Sequence, residues 1–129
     1  MAYIKYKELT KYFNFNKIIE IDDLPEYVTD YIYSDEKILE AYKTSRDKAV
    51  FTNKRLIVRD AQGLTGTKVE IYSLPYSSIL MWSTENAGIV DINSEVQIWT
   101  KIGTIKVKLR KGIDVRRFES LLANAILTN

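Results

Sequence analysis

The chain of 129 residues contains neither cysteine nor histidine. The absence of cysteine excludes disulfide bonds, thiolate nucleophiles and thiolate zinc sites. The absence of histidine removes the side chain that most often acts as a general base and most often binds a transition metal. The enzyme that we consider for this sequence would use carboxylates. We therefore predict that the protein is not an enzyme and has no catalytic residue, no cofactor and no metal site.

Long apolar runs are also missing from the sequence. No stretch approaches the roughly 20 apolar residues of a membrane span, and residues 1–12 lack the apolar region of a secretory signal. The formal net charge of +2 is too small to indicate nucleic acid by itself. We therefore expect a cytoplasmic protein that is at most peripheral to the membrane, and we expect no nucleic-acid partner.

The sequence does contain a series of short strand patterns. In the middle of the chain, residues 49–52 and 56–58 are rich in β-branched and aromatic residues, with a tight turn between them. Residues 68–72 then alternate between apolar and charged side chains. This alternation predicts that Val69 and Ile71 face a core. Three strands with short connections predict an antiparallel meander.

Four further strand patterns lie at residues 37–42, 79–84, 91–99 and 105–109. The last of them has one apolar face and one strongly basic face. A helix follows Asp114, a residue suited to cap it, and carries apolar residues at helical spacing: Phe118, Leu121, Leu122, Ala125 and Ile126. The sequence thus predicts a mainly β (α+β) fold, a seven-stranded antiparallel barrel or sandwich capped by a C-terminal α-helix.

The first part of the chain is rich in aromatic residues. Tyr6, Leu9 and Phe13 have helical spacing, so we predict a short helical and aromatic arm in residues 1–22 ahead of a domain in residues 23–129. Two interpretations stay open, because the arm would either pack on the domain or contact a partner. Asp23 is suited to cap a further short helix, which we expect to end near residue 33.

Four short motifs resemble the bacterial pleckstrin-homology (PH) domain family, formerly a domain of unknown function. They are FTNKRL at 51–56, GLTG at 63–66, LPYSSI at 74–79 and ENAG at 85–88. The similarity covers about residues 24–127 and departs from the family pattern at Asn86 and Val90. The resemblance implies a PH-like seven-stranded barrel capped by the C-terminal helix, no catalytic activity, and subunits that assemble into rings through sheet edges.

Charge is distributed unevenly along the chain. Residues 101–117 contain seven basic residues and one acid, a net charge of +6, whereas residues 20–40 contain eight acids and one lysine, a net charge of −7. Such segments form either a binding field or complementary surfaces. Complementary surfaces would meet within one subunit or head to tail between subunits, and head-to-tail contacts are the kind that close rings.

Two groups of basic residues are the candidates for binding an anion or a lipid. One group lies in the basic strand at residues 101–111, and the other surrounds the first predicted hairpin, where eukaryotic relatives of the resembled family meet lipid head groups. The candidates are Lys106, Lys108, Arg110 and Lys111, and Lys43, Arg46 and Lys48. At about 1 kcal/mol for each cation near anionic lipid, the four outward groups of the strand give a millimolar Kd, so membrane binding would need several copies.

The preferred hypothesis is a non-enzymatic scaffold that forms a homo-oligomeric ring and binds a protein or peptide partner by edge-strand addition. The alternative is a binder of anionic lipid or another polyanion that uses the basic strand. An enzyme based on Glu85, Asp91 and Glu95 is the third hypothesis. We disfavour it because Asp91 and Glu95 lie on the polar face of a strand.

Overall fold

The computed structural model describes residues 9–62, 67–85 and 93–129. These ranges contain eight strands, two short 3-10 turns and two helices. The strands are β1 (Leu9–Ile19), β2 (Ile38–Thr44), β3 (Asp47–Thr52), β4 (Arg55–Gln62), β5 (Lys68–Pro75), β6 (Ile79–Thr84), β7 (Ser94–Thr100) and β8 (Gly103–Leu109), and the helices are α1 (Glu26–Thr29) and α2 (Val115–Leu127).

All eight strands belong to one sheet with the order β5-β4-β3-β2-β1-β8-β7-β6. Neighbours are antiparallel except for β1 and β8, which are parallel. The sheet curls back on itself. The evidence is that the ring centroids of Phe13 on β1 and Tyr72 on β5 lie 5.7 Å apart, although these strands are not hydrogen-bonded neighbours. The fold class expected from the sequence, mainly β with a closing helix, is therefore confirmed, with eight strands in place of seven.

The additional strand is β1, and the prediction of a helical arm is wrong from Leu9 to Ile19. Phe13 and Phe15 face the core, while Tyr12 before them and Asn14 between them are exposed. This alternation has the period of a strand, and it prevails over the helical spacing because β1 finds two partners, β8 for its first half and β2 for its second. Residues 1–8, including Tyr6, lie outside the described residues.

Strands β3, β4 and β5 form the predicted meander, but the expected orientation of β5 is wrong. Val69 and Ile71, predicted to face the core, are each 36% exposed. Tyr72 and Leu74 pack against the core instead. The register with β4 determines this outcome, because it pairs Tyr72 and Leu74 with the buried residues Val58 and Leu56.

The helix predicted to start at Asp23 is shorter than expected. Asp23 belongs to a 3-10 turn, and the four-residue helix α1 begins after Pro25 without a side-chain cap. The chain beyond α1 is held by a tertiary contact, since Arg55 Nη2 donates a hydrogen bond to the Tyr31 carbonyl at 2.7 Å. Val28 of α1 packs with Ala41 and Val50 in a small second core on the other side of the sheet.

Helix α2 closes the main core as predicted. Asp114 caps its start, since Oδ1 accepts hydrogen bonds from the backbone N–H groups of Arg116 at 3.0 Å and Arg117 at 3.4 Å. Phe118 is fully buried against an aromatic cluster that joins β1, β2 and β3: its ring lies 5.5 to 6.1 Å from the rings of Phe15, Tyr42 and Phe51. Large buried side chains contribute roughly 1.5–3 kcal/mol each, so α2 is integral to the fold.

A buried carboxylate ties the segment before β2 to the β3–β4 hairpin. Both oxygens of Glu36 accept hydrogen bonds from Arg55, Nε at 2.9 Å and Nη2 at 3.0 Å, and Oε2 also accepts one from the Thr52 hydroxyl at 2.6 Å. Burial by itself raises the pKa of Glu36, but the hydrogen bonds from Arg55 and Thr52 outweigh it and the pKa is lowered. The carboxylate therefore stays ionised inside the protein.

Candidate functional site

The first hairpin, formed by β2 and β3, holds three of the predicted anion-binding cations, and two of them are engaged. Arg46 Nη1 lies 3.4 Å from Asp60 Oδ2. Lys48 Nζ lies 2.9 Å from Asp47 Oδ1 and donates a hydrogen bond to the Tyr27 hydroxyl at 2.8 Å. Burial lowers the pKa of Lys48, but the contacts with Tyr27 and Asp47 outweigh it and the pKa is raised.

The third hairpin cation, Lys43, belongs to a row of basic residues that crosses four strands. The register places Lys17 of β1 opposite Lys43, Lys43 opposite Lys48, and Lys48 opposite Arg59 of β4. Like charges directly opposite each other destabilise a sheet. Asp47 offsets the row at one end by pairing with Lys48 and Arg59, whereas Lys17 and Lys43 have no ion pair among the described residues.

Sequence reasoning missed Lys17 and Arg59 as members of this row. No spacing along the chain reveals them, because four strands contribute one residue each and the connection between β1 and β2 alone covers residues 20–37. Only the register of the strands shows that they are neighbours.

The predicted basic strand is β8, and its cations do not act as one group. Lys106 lies opposite Tyr12 of β1, with Nζ 5.6 Å from the centroid of the Tyr12 ring, a cation–π distance. Lys108 lies opposite Asn14. Arg110 follows the end of the strand, and its backbone N–H donates to the Phe15 carbonyl at 3.0 Å.

Lys108 and Arg110 line one small pocket at the end of the sheet. Its volume is about 190 Å³, and the other lining residues are Asn14, Asn16, Ser45 and Asn93. A neighbouring pocket of about 320 Å³ shares Asn14 and Ser45 and includes Arg46. Three of the seven predicted cations thus line these two pockets, whereas Lys106, Lys43 and Lys48 line neither. Lys111 contributes its backbone N–H, which donates to Asn93 Oδ1 at 2.9 Å.

The acidic and basic segments meet at one point within the subunit. Arg117 Nη2 lies 2.8 Å from Glu40 Oε1, and among the described residues this is the single ion pair that joins the two segments. The pair lies in a groove of about 490 Å³ between α2 and β2, also lined by Leu39 and Leu121. Most acids of residues 20–40 remain exposed and without an ion pair in the described part of the chain: Glu20, Asp22, Asp23, Glu26, Asp30 and Asp35.

The edges of the sheet are strands β5 and β6. Both carry exposed apolar side chains: Val69 and Ile71 on β5, each 36% exposed, and Leu80 and Met81 on β6, which are 64% and 53% exposed. Strand β6 is fixed to α2, since the Trp82 indole N–H donates to both carboxylate oxygens of Glu119 at 3.2 and 3.1 Å. The β6 edge is therefore held in place.

Two of the three carboxylates considered for acid–base chemistry, Glu85 and Glu95, belong to the described residues. Glu85 and Glu95 line one pocket of about 380 Å³ with Ser83, Thr84 and Gln97. Asp91 lies outside the described residues. Across residues 9–62, 67–85 and 93–129, no group of three acidic, histidine or cysteine side chains is arranged to hold a metal ion. In the same ranges no helix has the length and apolar character needed to cross a membrane.

Comparison with known proteins identifies related sequences along most of the chain. The family model for the bacterial PH domain matches residues 9–126. The uncharacterized protein YjqA of Bacillus subtilis (strain 168) is 41% identical over 91 residues, which are 68% of this chain and 73% of YjqA. The uncharacterized protein YozO of the same organism is 30% identical over 87 residues, 67% of this chain and 75% of YozO.

Two crystal structures are similar to this fold. One is a DUF1696 family protein with a pleckstrin-homology domain from Shewanella loihica PV-4, with a TM-score of 0.74 and 33% identity over 90% of this chain and 98% of that one. The other is a pleckstrin-homology domain from Shewanella amazonensis SB2B, with a TM-score of 0.67 and 33% identity over 84% and 89%. Both agree with a curled sheet closed by a C-terminal helix.

Proposed function

The chain belongs to the bacterial PH domain family, and we propose that it is a non-enzymatic module that self-associates head to tail through the two edges of its sheet. The module would serve as a cytoplasmic scaffold, and the same contact between neighbouring subunits would repeat around a homo-oligomeric ring. The unpaired backbone groups of an edge strand would also accept an extended peptide from a protein partner.

The observation that carries this proposal is the placement of the exposed apolar residues. Val69 and Ile71 lie on one edge strand, and Leu80 and Met81 lie on the other. An exposed apolar edge strand is a template for pairing with another chain, and proteins that stay monomeric blunt such edges with charge or proline. Strand β6 carries neither a charge nor a proline. Strand β5 carries Lys68, Glu70 and Pro75, but Val69 and Ile71 between them stay exposed and available for pairing.

Because the two edges are different strands, a contact between them is heterologous. Each subunit would use β5 toward one neighbour and β6 toward the other. Such a heterologous contact forms a closed ring when the rotations between successive subunits add up to a full turn. The exposed acids of residues 20–40 and the exposed cations near α2 add complementary charge for the same head-to-tail arrangement.

Light scattering behind size exclusion tests the proposal, with the full chain measured at low and at high salt. We expect a mass several times 15.0 kDa. A mass that persists in high salt would indicate that edge pairing and apolar contact hold the ring, whereas a mass that falls would assign the contact to the charged surfaces. A monomer at high micromolar concentration in both buffers would contradict self-association.

A further inference from the structure

The pocket lined by Lys108, Arg110, Asn14, Asn16, Ser45 and Asn93, here called the β1–β8 pocket, has a chemistry that the proposed assembly does not use. Its place depends on the one parallel pairing of the sheet, which sets Asn14 beside Lys108. The N–H of Arg110 donates to the Phe15 carbonyl, and the N–H of Ser45 donates to the Asn14 carbonyl at 3.2 Å. Backbone contacts therefore position three sides of the pocket.

Every side chain that lines the β1–β8 pocket can donate a hydrogen bond, and none is a carboxylate. Lysine and arginine supply donors only, the three asparagine amides supply two donors each, and the serine hydroxyl supplies one. Asn93 Oδ1 already accepts from the Lys111 N–H, which leaves the Asn93 amide N–H groups as its contribution. Such a set of groups matches an anion rich in acceptor oxygens.

Neither cation of this pocket forms an ion pair with a described residue. Glu95 lies opposite Lys108 in the β7–β8 ladder, yet the two side chains form no ion pair, and Glu95 lines a different pocket with Glu85. The hairpin cations Arg46 and Lys48, in contrast, already pair with Asp60 and Asp47. The first hairpin thus contributes Ser45 of its turn to the pocket but none of its cations, and the charged donors come from Lys108 of β8 and from Arg110 just beyond it.

The volume of the β1–β8 pocket limits the size of the anion that it can hold. Pockets for drug-sized ligands have volumes of about 300–1,000 Å³, and the β1–β8 pocket has about 190 Å³. It suits a single small oxyanion group, not an extended polymer. Arginine binds phosphate oxygens bidentately in charge-assisted hydrogen bonds, which are stronger than neutral ones.

We propose that the β1–β8 pocket binds the phosphate group of a phosphomonoester, with Arg110 and Lys108 as the charged donors and Asn14, Asn16, Ser45 and Asn93 as the neutral ones. The phosphate is carried either by a soluble metabolite or by a lipid head group, which share this chemistry. The proposal does not depend on self-association, because one subunit supplies the whole pocket.

Calorimetric titration of the full chain with glycerol 3-phosphate at fixed ionic strength tests the soluble source. Pelleting with phosphatidylcholine vesicles, with and without phosphatidic acid, tests the lipid source. We expect heat of binding in the first experiment or pelleting that requires phosphatidic acid in the second. Absence of both would overturn the proposal.

Matched variants separate a pocket from diffuse positive charge. K108A/R110A removes the two charged donors, and the control K101A/R116A removes the same charge from two exposed cations outside the pocket. We expect the pocket variant to weaken binding roughly tenfold or more and the control to leave it nearly unchanged. Equal weakening by both variants would overturn the site.

A further variant, N14D, adds a carboxylate to the pocket without changing the size of the side chain. We expect it to abolish binding because the new charge repels the anion, while the circular dichroism and melting temperature stay those of the unchanged protein. Retained binding by folded N14D would contradict the assigned position, whatever the oligomeric state.

Discussion

The two halves of the sheet treat their cations differently. All five ion pairs among the described residues use an acid from the half built by β2–β4 and the segment before it: Glu36, Glu40, Asp47 and Asp60. In the half built by β1, β7 and β8, the described cations have no such partner. The cations of β3 and β4 therefore serve the fold, whereas Lys108 and Arg110 at the end of β8 form no ion pair with a described residue.

Removal of one cation from each half of the sheet should give the largest difference in stability. Arg55→Ala leaves Glu36 as a buried carboxylate without its cation, so we expect the free energy of unfolding to fall by roughly 3–5 kcal/mol. Lys108→Ala is the matched control and should change it by at most about 0.5 kcal/mol. Urea denaturation of both variants measures the difference, and equal effects would show that the two halves do not differ.

Acid should lower the free energy of unfolding by protonating Glu36, a carboxylate of the ion-paired half. The pKa of Glu36 is lower in the folded protein than its ordinary value, so its stabilisation is complete above the unfolded pKa and is lost as the pH falls through the folded pKa. We expect the free energy of unfolding to decrease from about pH 5 downward, with a smaller slope in Glu36→Gln. The same slope in both proteins would exclude Glu36 as the responsible group.

The smallest expected effect comes from adding an ion pair where the sheet lacks one. Lys17→Glu places a carboxylate directly opposite Lys43 in the β1–β2 ladder. Replacing a like-charged pair by an opposite one should stabilise the protein by about 0.2–1 kcal/mol, less at high salt. Thermal melts at two salt concentrations measure this gain, and Lys54→Glu in the β3–β4 turn is the control for net charge. If Lys54→Glu stabilises the protein as much as Lys17→Glu does, the gain comes from the change in net charge and not from the pairing of residue 17 with Lys43.

The sequence predicted best those elements whose own pattern decides their structure. Strands β7 and β8 and helix α2 were predicted correctly because Val96, Val107 and Phe118 belong to apolar faces with a clear period, and those faces are buried. The strand β1 was missed because its partner β8 lies some ninety residues later in the chain. Its local spacing up to Phe13 fits a helix, and only the distant pairing makes it a strand.

The site was predicted in part for the same reason. The sequence shows Lys108 and Arg110 as a basic strand face, but their neighbours Asn14 and Ser45 have no signal of their own. Asn14 reaches the pocket through the parallel pairing of β1 with β8, and Ser45 reaches it through the antiparallel pairing of β1 with β2. The edge strand β5 shows the opposite problem. Val69 and Ile71 alternate with charged residues as predicted, yet they are exposed, because the register with β4 turns Tyr72 and Leu74 of the other face toward the core.

The central claim, a head-to-tail contact between β5 and β6, is tested most directly by complementation. V69K/I71K blocks one edge and L80K/M81K blocks the other, while I102K is a control at a residue that is 66% exposed on the β7–β8 turn. We expect each edge variant alone to be monomeric and the control to assemble as the unchanged chain does.

Each edge variant retains one intact edge, and the two intact edges are complementary. An equimolar mixture of the two variants should therefore form a heterodimer of twice 15.0 kDa, measured by light scattering behind size exclusion. Edge variants that assemble like the unchanged chain, or monomeric variants whose mixture stays monomeric, would contradict a contact between β5 and β6.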